Sequence, residues 1–590
     1  MADGFQILDV SSGSISEAVP LRANPPSSRV VPPLLPIWLP LIVAAIASGV
    51  VIAWIFPPAP PGGTAPLARF TDVSSSAGLN FVHHAGLNPD ESPTTLGGGV
   101  VFFDFDADGD DDLFLVNGAP WPWEESLAKQ VTRGGCALYR NDGHGHFVDI
   151  SYSAEINIEF QGMAAAAGDY DNDGLPDLYI TGIGANHLFH NRGRGQFEDV
   201  TDEAGVGGAE NAWTTGATWF DYDGDGRLDL IVCQYARWPQ EVGLAGAFAV
   251  ALMGHSYGAP TGFVGAPPTV YRNLGNGRFR AVPDSAGLRP LDPRTGLPAA
   301  KTLAVMPIDA NGDGRLDLLF AFQGQDNALF LNEGGGAFRP WNPPAPDRRE
   351  GASAGLVSAG PLPFLLPGGV DERFATLQAA ATLRPRSIDN ERGWVSRKLG
   401  LALFDYDGDG RLDIFLGNGQ AEPDVNRFES GRDFAATPEL FWNRGDGSWV
   451  AAPEVTAENV WLHPLAARGL AVADIDGDGD LDVVITQVNG PPQLLRNDQR
   501  LNPPWLALHL VATRTPREAA GARVEVHTPR RVYVQTVAPA MSFMAQSTST
   551  LLFGLGDDAR VRKIVVQWPS GVRRELHPDS VNRRLTITED

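Results

Sequence analysis

The chain has 590 residues, 43% of them hydrophobic, and a formal net charge of −26. That length and apolar content supply a large core plus a second domain and set aside disorder. A surface this acidic repels a polyanion, which argues against nucleic acid as a partner.

Residues 1–29 are polar and short. From Leu34 to Phe56, "LLPIWLPLIVAAIASGVVIAWIF" runs 23 residues without a charge. This exceeds the apolar core of a cleaved leader and predicts one membrane-spanning helix over 34–56. Arg22 and Arg29 precede it closely and only Arg69 follows closely, so residues 1–29 are expected in the cytoplasm and the bulk outside. Cleavage near Ala47 to Ser48 is the competing outcome. Residues 57–68, with "PPAPPGGTAP", read as a Pro-rich spacer that holds a domain off the membrane.

The first Asp-rich stretch, "DFDADGDDD", packs six carboxylates into Asp104 to Asp112, a density that a folded chain holds only where a cation neutralises it. Side-chain oxygens at the first, third, fifth and ninth places (Asp104, Asp106, Asp108, Asp112) and a carbonyl at the seventh suit Ca²⁺, which takes about six to eight oxygens. Gly109 stands sixth, where the backbone must bend with little steric cost. An EF-hand would carry Glu at the twelfth place between two helices; here Leu115 stands there, and "GGGVVFF" and "LFLVNG" on either side read as strands.

The pattern recurs as "DYDNDGLPD" (Asp169, Asp171, Asp173, Asp177), "DYDGDGRLD" (Asp221, Asp223, Asp225, Asp229), "DANGDGRLD" (Asp309, Asn311, Asp313, Asp317), "DYDGDGRLD" (Asp405, Asp407, Asp409, Asp413) and "DIDGDGDLD" (Asp474, Asp476, Asp478, Asp482). Together the six motifs hold 26 acidic residues. The charge therefore speaks for up to six Ca²⁺ ions rather than for an acidic tail. Because Asn311 replaces a carboxylate, the fourth site is expected to be weakest. A second element, from "LYRNDGHGHF" at Leu138 to "LFWNRGDGSW" at Leu440, gives two short strands about a glycine turn. A third, "FTDVSSSAGL" at Phe70, "FVDISYSAEI" at Phe147 and "FEDVTDEAGV" at Phe197, is expected to open the next unit.

One unit is thus four short strands, the content of one β-propeller blade. Successive first Asp residues lie 65, 52, 88, 96 and 69 apart, so the third and fourth intervals carry insertions or a degenerate blade. Seven blades are favoured over six, with a metal-free one expected within Trp341 to Trp394. The predicted fold is all-β: a propeller over 69–500 with calcium loops between strands, then a small β domain over 501–590.

Catalytic signatures are weak. "GHSYG", Gly254 to Gly258, fits a nucleophile elbow in letters, but the following "APTGFVGAPPTV" cannot make the helix an elbow needs, and the stretch falls between two strands of one blade. His83 with His84 and His144 with His146 lack the spacing and carboxylate context of a zinc hydrolase. Cys136 and Cys233 read as two buried thiols, with one disulfide between them left open. Trp121, Trp123, Trp238, Trp341 and Trp394 would suit a glycan platform, although core packing is the commoner use of tryptophan. No enzyme is expected. The reading is a binding or adhesion protein for a protein or glycan ligand; the alternative is an enzyme or accessory factor that uses the propeller pore.

Beyond "QLLRND" (Gln493 to Asp498) the Asp pattern stops and alternating segments such as "WLALHLVAT" and "RRVYVQTVA" follow. Residues 501–590 carry 12 Arg or Lys against 8 Asp or Glu, so a basic module follows an acidic one. The Asp loops resemble the FG-GAP/VCBS repeats of integrin-type propellers, and Gly521 to Gly571, with "FGLG" and then "WPSG", resembles the ASPIC/UnbV module. The combination resembles the cartilage acidic protein-like family. That resemblance implies a calcium-loop propeller with an appended β module, and interaction or adhesion as its use, with no chemistry attached.

Overall fold

The computed structural model describes residues 64–85, 96–119, 134–237, 265–283, 301–322, 327–341, 398–420, 433–453, 463–499, 503–538 and 544–590, with the short pieces 249–250, 254–255, 287–288, 426 and 542. The expected span 34–56, its flanks, the metal-free blade expected before Trp394, and Trp121, Trp123, Trp238 and Trp394 lie outside them. Among the described residues no helix is long and apolar enough to cross a membrane.

The described chain is almost wholly β. Six antiparallel four-stranded sheets follow one another, each carrying one Asp loop between its first and second strands. In sheet 1 the strands are Val100–Phe103, Asp112–Leu115, Ala137–Asn141 and Phe147–Asp149. Sheets 2, 3, 4 and 5 begin at Gly162–Gly168, Ala212–Phe220, Thr302–Ile308 and Lys398–Phe404. Sheet 6 orders Ala467–Ala473, Asp482–Gln487 and Gln493–Asn497, then takes Phe70–Asp72 from the start of the domain as its fourth strand, with Phe70 opposite Asn497.

That pairing corrects one expectation. The "FTDV" and "FVDI" elements do not open a unit; Phe147–Asp149 pairs back on Ala137–Asn141 and closes its own sheet. Sheet 6 lacks such a strand of its own, and Phe70–Asp72 supplies it from the far end of the repeats, Phe70 and Asn497 being 427 residues apart, which ties the two ends of the repeat array together.

Apolar side chains alternate onto both faces and pack between neighbouring sheets. Val101, Phe103 and Phe114 of sheet 1 meet Ala167, Leu178 and Phe189 of sheet 2; comparable clusters join sheets 2 and 3, 3 and 4, 5 and 6, and 6 and 1. Sheet 4 and sheet 5 each carry a further cluster of their own on the remaining face. The first strands approach one another closely. A Cβ added at Gly99 would lie 2.6 Å from Ala164 Cα, and one at Gly469 2.8 Å from Val100 Cγ1, so glycine is required where these strands meet.

The C-terminal module is two sheets packed face to face. Leu551–Gly554, Trp505–Val511 and Arg583–Thr588 make one; Val532–Thr536, Arg523–His527, Lys563–Gln567 and Arg573–Leu576 make the other. Leu508, Val524, Phe553, Ile564 and Trp568 fill the space between them.

One piece of the module leaves it. Ala545–Gln546 pairs in parallel with the free edge of Val100–Phe103 in sheet 1. Around it, Val100 N donates to Met544 O (3.0 Å), Val472 N to Ser547 Oγ (3.1 Å) and Leu401 N to Ser542 Oγ (3.0 Å). The Gln546 amide makes two bonds to Ala167, accepting from its N–H at 2.9 Å and donating to its carbonyl at 3.1 Å. Ser542 and residues 544–548 thus touch the first strands of sheets 1, 2, 5 and 6, in the space those strands surround.

Candidate metal loops and the module that covers them

All six loops share one backbone design. The sixth place is glycine at positive φ throughout: Gly109, Gly174, Gly226, Gly314, Gly410 and Gly479, from 83° to 100°. The first Asp accepts backbone N–H groups across the turn, as where Gly174 N meets Asp169 Oδ2 at 2.8 Å and Asp173 N meets Asp169 Oδ1 at 2.9 Å. Its carboxylate therefore faces into the loop.

The ninth Asp begins the second strand of its sheet and does a separate task. In every copy one oxygen accepts the N–H of the second loop residue and the other accepts the N–H of an asparagine in the outer hairpin. Asp229 takes Tyr222 N at 3.1 Å and Asn273 N at 2.7 Å; Asp413 takes Tyr406 N at 3.1 Å and Asn443 N at 2.7 Å. Asp112, Asp177, Asp317 and Asp482 repeat this with Asn141, Asn191, Asn332 and Asn497.

Those asparagines went unnoticed at the sequence level, although each stands at the same place in its own copy, as "RNDG", "HNRG", "RNLG", "LNEG", "WNRG" and "RNDQ". Four of them also stitch neighbours together: the side-chain amides of Asn141, Asn191, Asn273 and Asn497 donate to the carbonyls of Ile475, Phe105, Tyr170 and Tyr406, each the second loop residue of the preceding sheet.

The expected metal ligands converge in part. Carboxylate oxygens of Asp104, Asp106 and Asp108 lie within 4.8 Å of one another, and so do those of Asp169, Asp171 and Asp173 and of Asp221, Asp223 and Asp225. In the fifth loop Asp405 and Asp407 are joined by Asp413, and in the second Asp171 and Asp177 are joined by His190, which the sequence did not single out. His190 Nδ1 stands 3.0 Å from Asp177 Oδ1. In the fourth loop Asn311 instead donates to Asp313 Oδ2 at 3.0 Å.

Two observations show what these groups fit. Asp106, Asp223 and Asp476, all at the third place, each keep a buried Oδ1 with no hydrogen-bond partner. Burial also pushes the carboxyls up, Asp104 and Asp474 to about 7, Asp229 to about 8 and Asp112 to about 9, and neighbouring Asp residues add to the rise. Carboxylate clusters whose charged form is this costly match a hard divalent cation.

The module lies on this loop side of the sheets. Arg584 Nη1 reaches to 3.7 Å from Asp110 Oδ1 in the first loop, and Arg531 Nη1 donates to Asp409 O in the fifth at 3.3 Å. Gly556 N donates to Gly408 O at 3.0 Å. At the second loop Asp169 N donates to Glu518 Oε1. The module therefore docks on the acidic loops, with Arg531 and Arg584 turned toward them.

The other candidates fall as follows. Gly254–His255 pairs with Ala249–Val250, in the connection between the second and third strands of sheet 3. Cys136 and Cys233 are buried free thiols. His144 is exposed, whereas His83 is buried and pushed down to about 3 by burial and the Arg468 charge. Trp341 is half-buried against Ile308 and Leu329.

Comparison with known proteins agrees with this architecture. Residues 104–180, 169–232 and 405–485 match the FG-GAP-like repeat, and 512–590 match ASPIC and UnbV. The chain thus carries FG-GAP-like repeats followed by an ASPIC and UnbV domain. That match begins at 512, yet Trp505–Val511 is the central strand of one module sheet, so the structural module starts earlier. The chain is similar to cartilage acidic protein 1 of Xenopus tropicalis, 25% identical over 84% of this chain and 74% of that one, and to the human protein of that name, 24% identical over 96% and 79%. A solved Agrocybe aegerita lectin structure, described by its recognition of non-reducing terminal N-acetylglucosamine, aligns over 68% of this chain and 81% of that one at 17% identity. Its TM-score of 0.30 is too low to bear on fold or function.

Proposed function

We propose that the chain is a calcium-stabilised, extracytoplasmic binding protein, held to the membrane by residues 34–56 and recognising a protein or glycan. The observation that carries the calcium is the buried, unpartnered Oδ1 at the third place of three separate loops, each among other carboxylates that burial and mutual repulsion penalise. Calcium here is structural, since the loops hold sheets together and lie under the module. Outside the membrane, calcium at about millimolar levels is enough to fill weak sites of this class.

The finer reading of the fold is a closed ring of seven. It is supported by the separate apolar clusters on sheets 4 and 5 and by the 56 residues between Trp341 and Lys398, as many as one unit needs. The alternative, turnover in the pore, is disfavoured because the chain's own residues 544–548 lie among the first strands.

Metal counting on the purified full chain, with binding to a glycan array and pull-downs in calcium and in chelator, tests the reading. About one ion per loop and capture without turnover are expected. A chain that retains no calcium, or that converts its ligand, overturns it.

A further inference from the structure

The module faces the loops with arginines, and one acidic residue breaks that pattern. Of its eight Asp and Glu residues, seven sit beside a cation or a hydroxyl of the module itself, as Glu525 does with Arg523 and His527, Asp558 with Thr528, and Glu589 with Ser570. Glu518 alone is directed onto a carboxylate cluster. Its Oε1 accepts the N–H of Asp169, the first residue of the second loop, and its Oε2 is buried with no hydrogen-bond partner. The Glu518 side chain is buried, and the carboxylates of Asp169 and Asp177 lie near enough for their charges to act on it. A like charge brought against like charges, with one oxygen left over, is costly unless a cation lies between them.

Ligand number points the same way. The loop offers side chains at four places and one carbonyl, five oxygens, whereas calcium takes about six to eight. Another carboxylate oxygen at the loop's edge meets that shortfall without relying on water alone.

We infer that Glu518 completes the second loop's calcium site, so that one ion is shared between the repeat domain and the ASPIC/UnbV module and its binding holds the module down. This rests on the calcium reading above. Arg517 lies on the same loop, where a Cβ at Gly174 would be 3.3 Å from its Cζ, and an Arg517–Glu518 pair that merely caps the turn is the competing account.

Glu518→Gln separates the two. Glutamine keeps an acceptor for the Asp169 N–H and nearly the same shape, and removes the charge. Calcium binding to the full chain in detergent is followed by native mass spectrometry, alongside hydrogen exchange of 503–538 in calcium and in chelator. The variant should lose one ion of the set, with affinity at that site about tenfold weaker or more, and the calcium-dependent protection of 503–538 should fall with it. Asp171→Ala should remove the same ion, and the double variant no further one. Wild-type ion number, affinity and protection in Glu518→Gln would leave Glu518 as a turn cap and overturn the inference. A wild-type chain without calcium in any loop would instead remove the calcium reading for all six, and this site with it.

Discussion

The fourth and fifth Asp loops differ at two of nine residues, "DANGDGRLD" against "DYDGDGRLD", and fold the same way. In both, the Arg at the seventh place turns back, with Nε 2.8 Å from the hairpin asparagine's carbonyl (Arg315 to Asn332, Arg411 to Asn443) and a terminal nitrogen on the fifth-place Asp. Their surroundings diverge. Trp442 Nε1 donates to Asp407 Oδ2 at 2.9 Å, and the module sets Tyr533 and Gly554 on the fifth loop, leaving none of its residues exposed. The fourth loop has four exposed residues, and the module meets it where Gly521 approaches Leu316. Burial accordingly raises Asp405 and Asp413 well above the usual range, Asp317 only to about 7. The motif sets the shape of a loop; what covers it sets what the charges cost.

Removing metal from every loop at once should have the largest effect. A site filled at a hundredfold excess over its Kd contributes ~2.7 kcal/mol, so chelator should lower the melting temperature well beyond any single substitution. The metal-free chain should also have inverted pH dependence. Asp104, Asp177, Asp229 and Asp112 hold protons to about pH 7, 7, 8 and 9 when folded, against about 3.9 unfolded. The folded state then binds more protons, and its stability is full near pH 4 and lost as pH rises through 7 to 9. In chelator the melting temperature should be higher at pH 5 than at pH 8, and calcium should raise it most at pH 8. A chelated chain that melts higher at pH 8 would show that these carboxylates are not buried as charged groups.

Glycine substitution breaks the comparison directly. Gly314 and Gly410 share the sixth place and nearly the same φ, +84° and +83°. An added Cβ at Gly314 meets nothing within 4 Å, so Gly314→Ala carries only the left-handed strain, about 1 kcal/mol. At Gly410 it would overlap the Tyr533 ring and crowd Gly554 O at 2.7 Å, adding about 1–3 kcal/mol of overpacking. Urea melts should separate the two variants, and hydrogen exchange over 551–556 should rise in Gly410→Ala alone. Equal losses would mean that the module's cover adds nothing to the fifth loop.

Gln546→Ala should come next. It deletes both bonds to Ala167 and leaves a buried N–H and carbonyl unpaired, at about 1–3 kcal/mol each way. The module should exchange faster while the sheets stay protected. Uniform destabilisation would instead make the segment an ordinary part of one cooperative core.

Much of this was readable from the residues. The Asp spacing and the glycine at the sixth place gave the loop, because a tight turn with inward side chains has few solutions, and alternating apolar runs gave the strands. The seam between Phe70 and Asn497 was written there too: "QLLRND" lacks its outer strand and Phe70 begins with a surplus one. It was missed because the element was assigned to the unit it precedes rather than to the one it closes. The placement of 544–548 and of Glu518 had no signal in the sequence. Both depend on where a separate β module lands, and neither periodicity nor spacing encodes that.

The smallest effect concerns the open loop of the opening pair. Asn311 supplies Oδ1 to Asp313 N at 2.9 Å and Nδ2 to Asp313 Oδ2 at 3.0 Å, so an amide hydrogen occupies an oxygen that a cation would need. Arg315 takes the same oxygen. On calcium titration this loop should fill last. Asn311→Asp keeps the acceptor for Asp313 N, frees Asp313 Oδ2 from the amide and adds a carboxylate at an inward place, which should tighten the site by about tenfold. The change should be visible in the last step of the titration and hardly at all in the melting temperature, because the loop is open and its neighbours already hold the sheet. If affinity stayed the same or weakened, Asn311 would not be a ligand, and the fourth loop would be a metal-free turn kept for its shape.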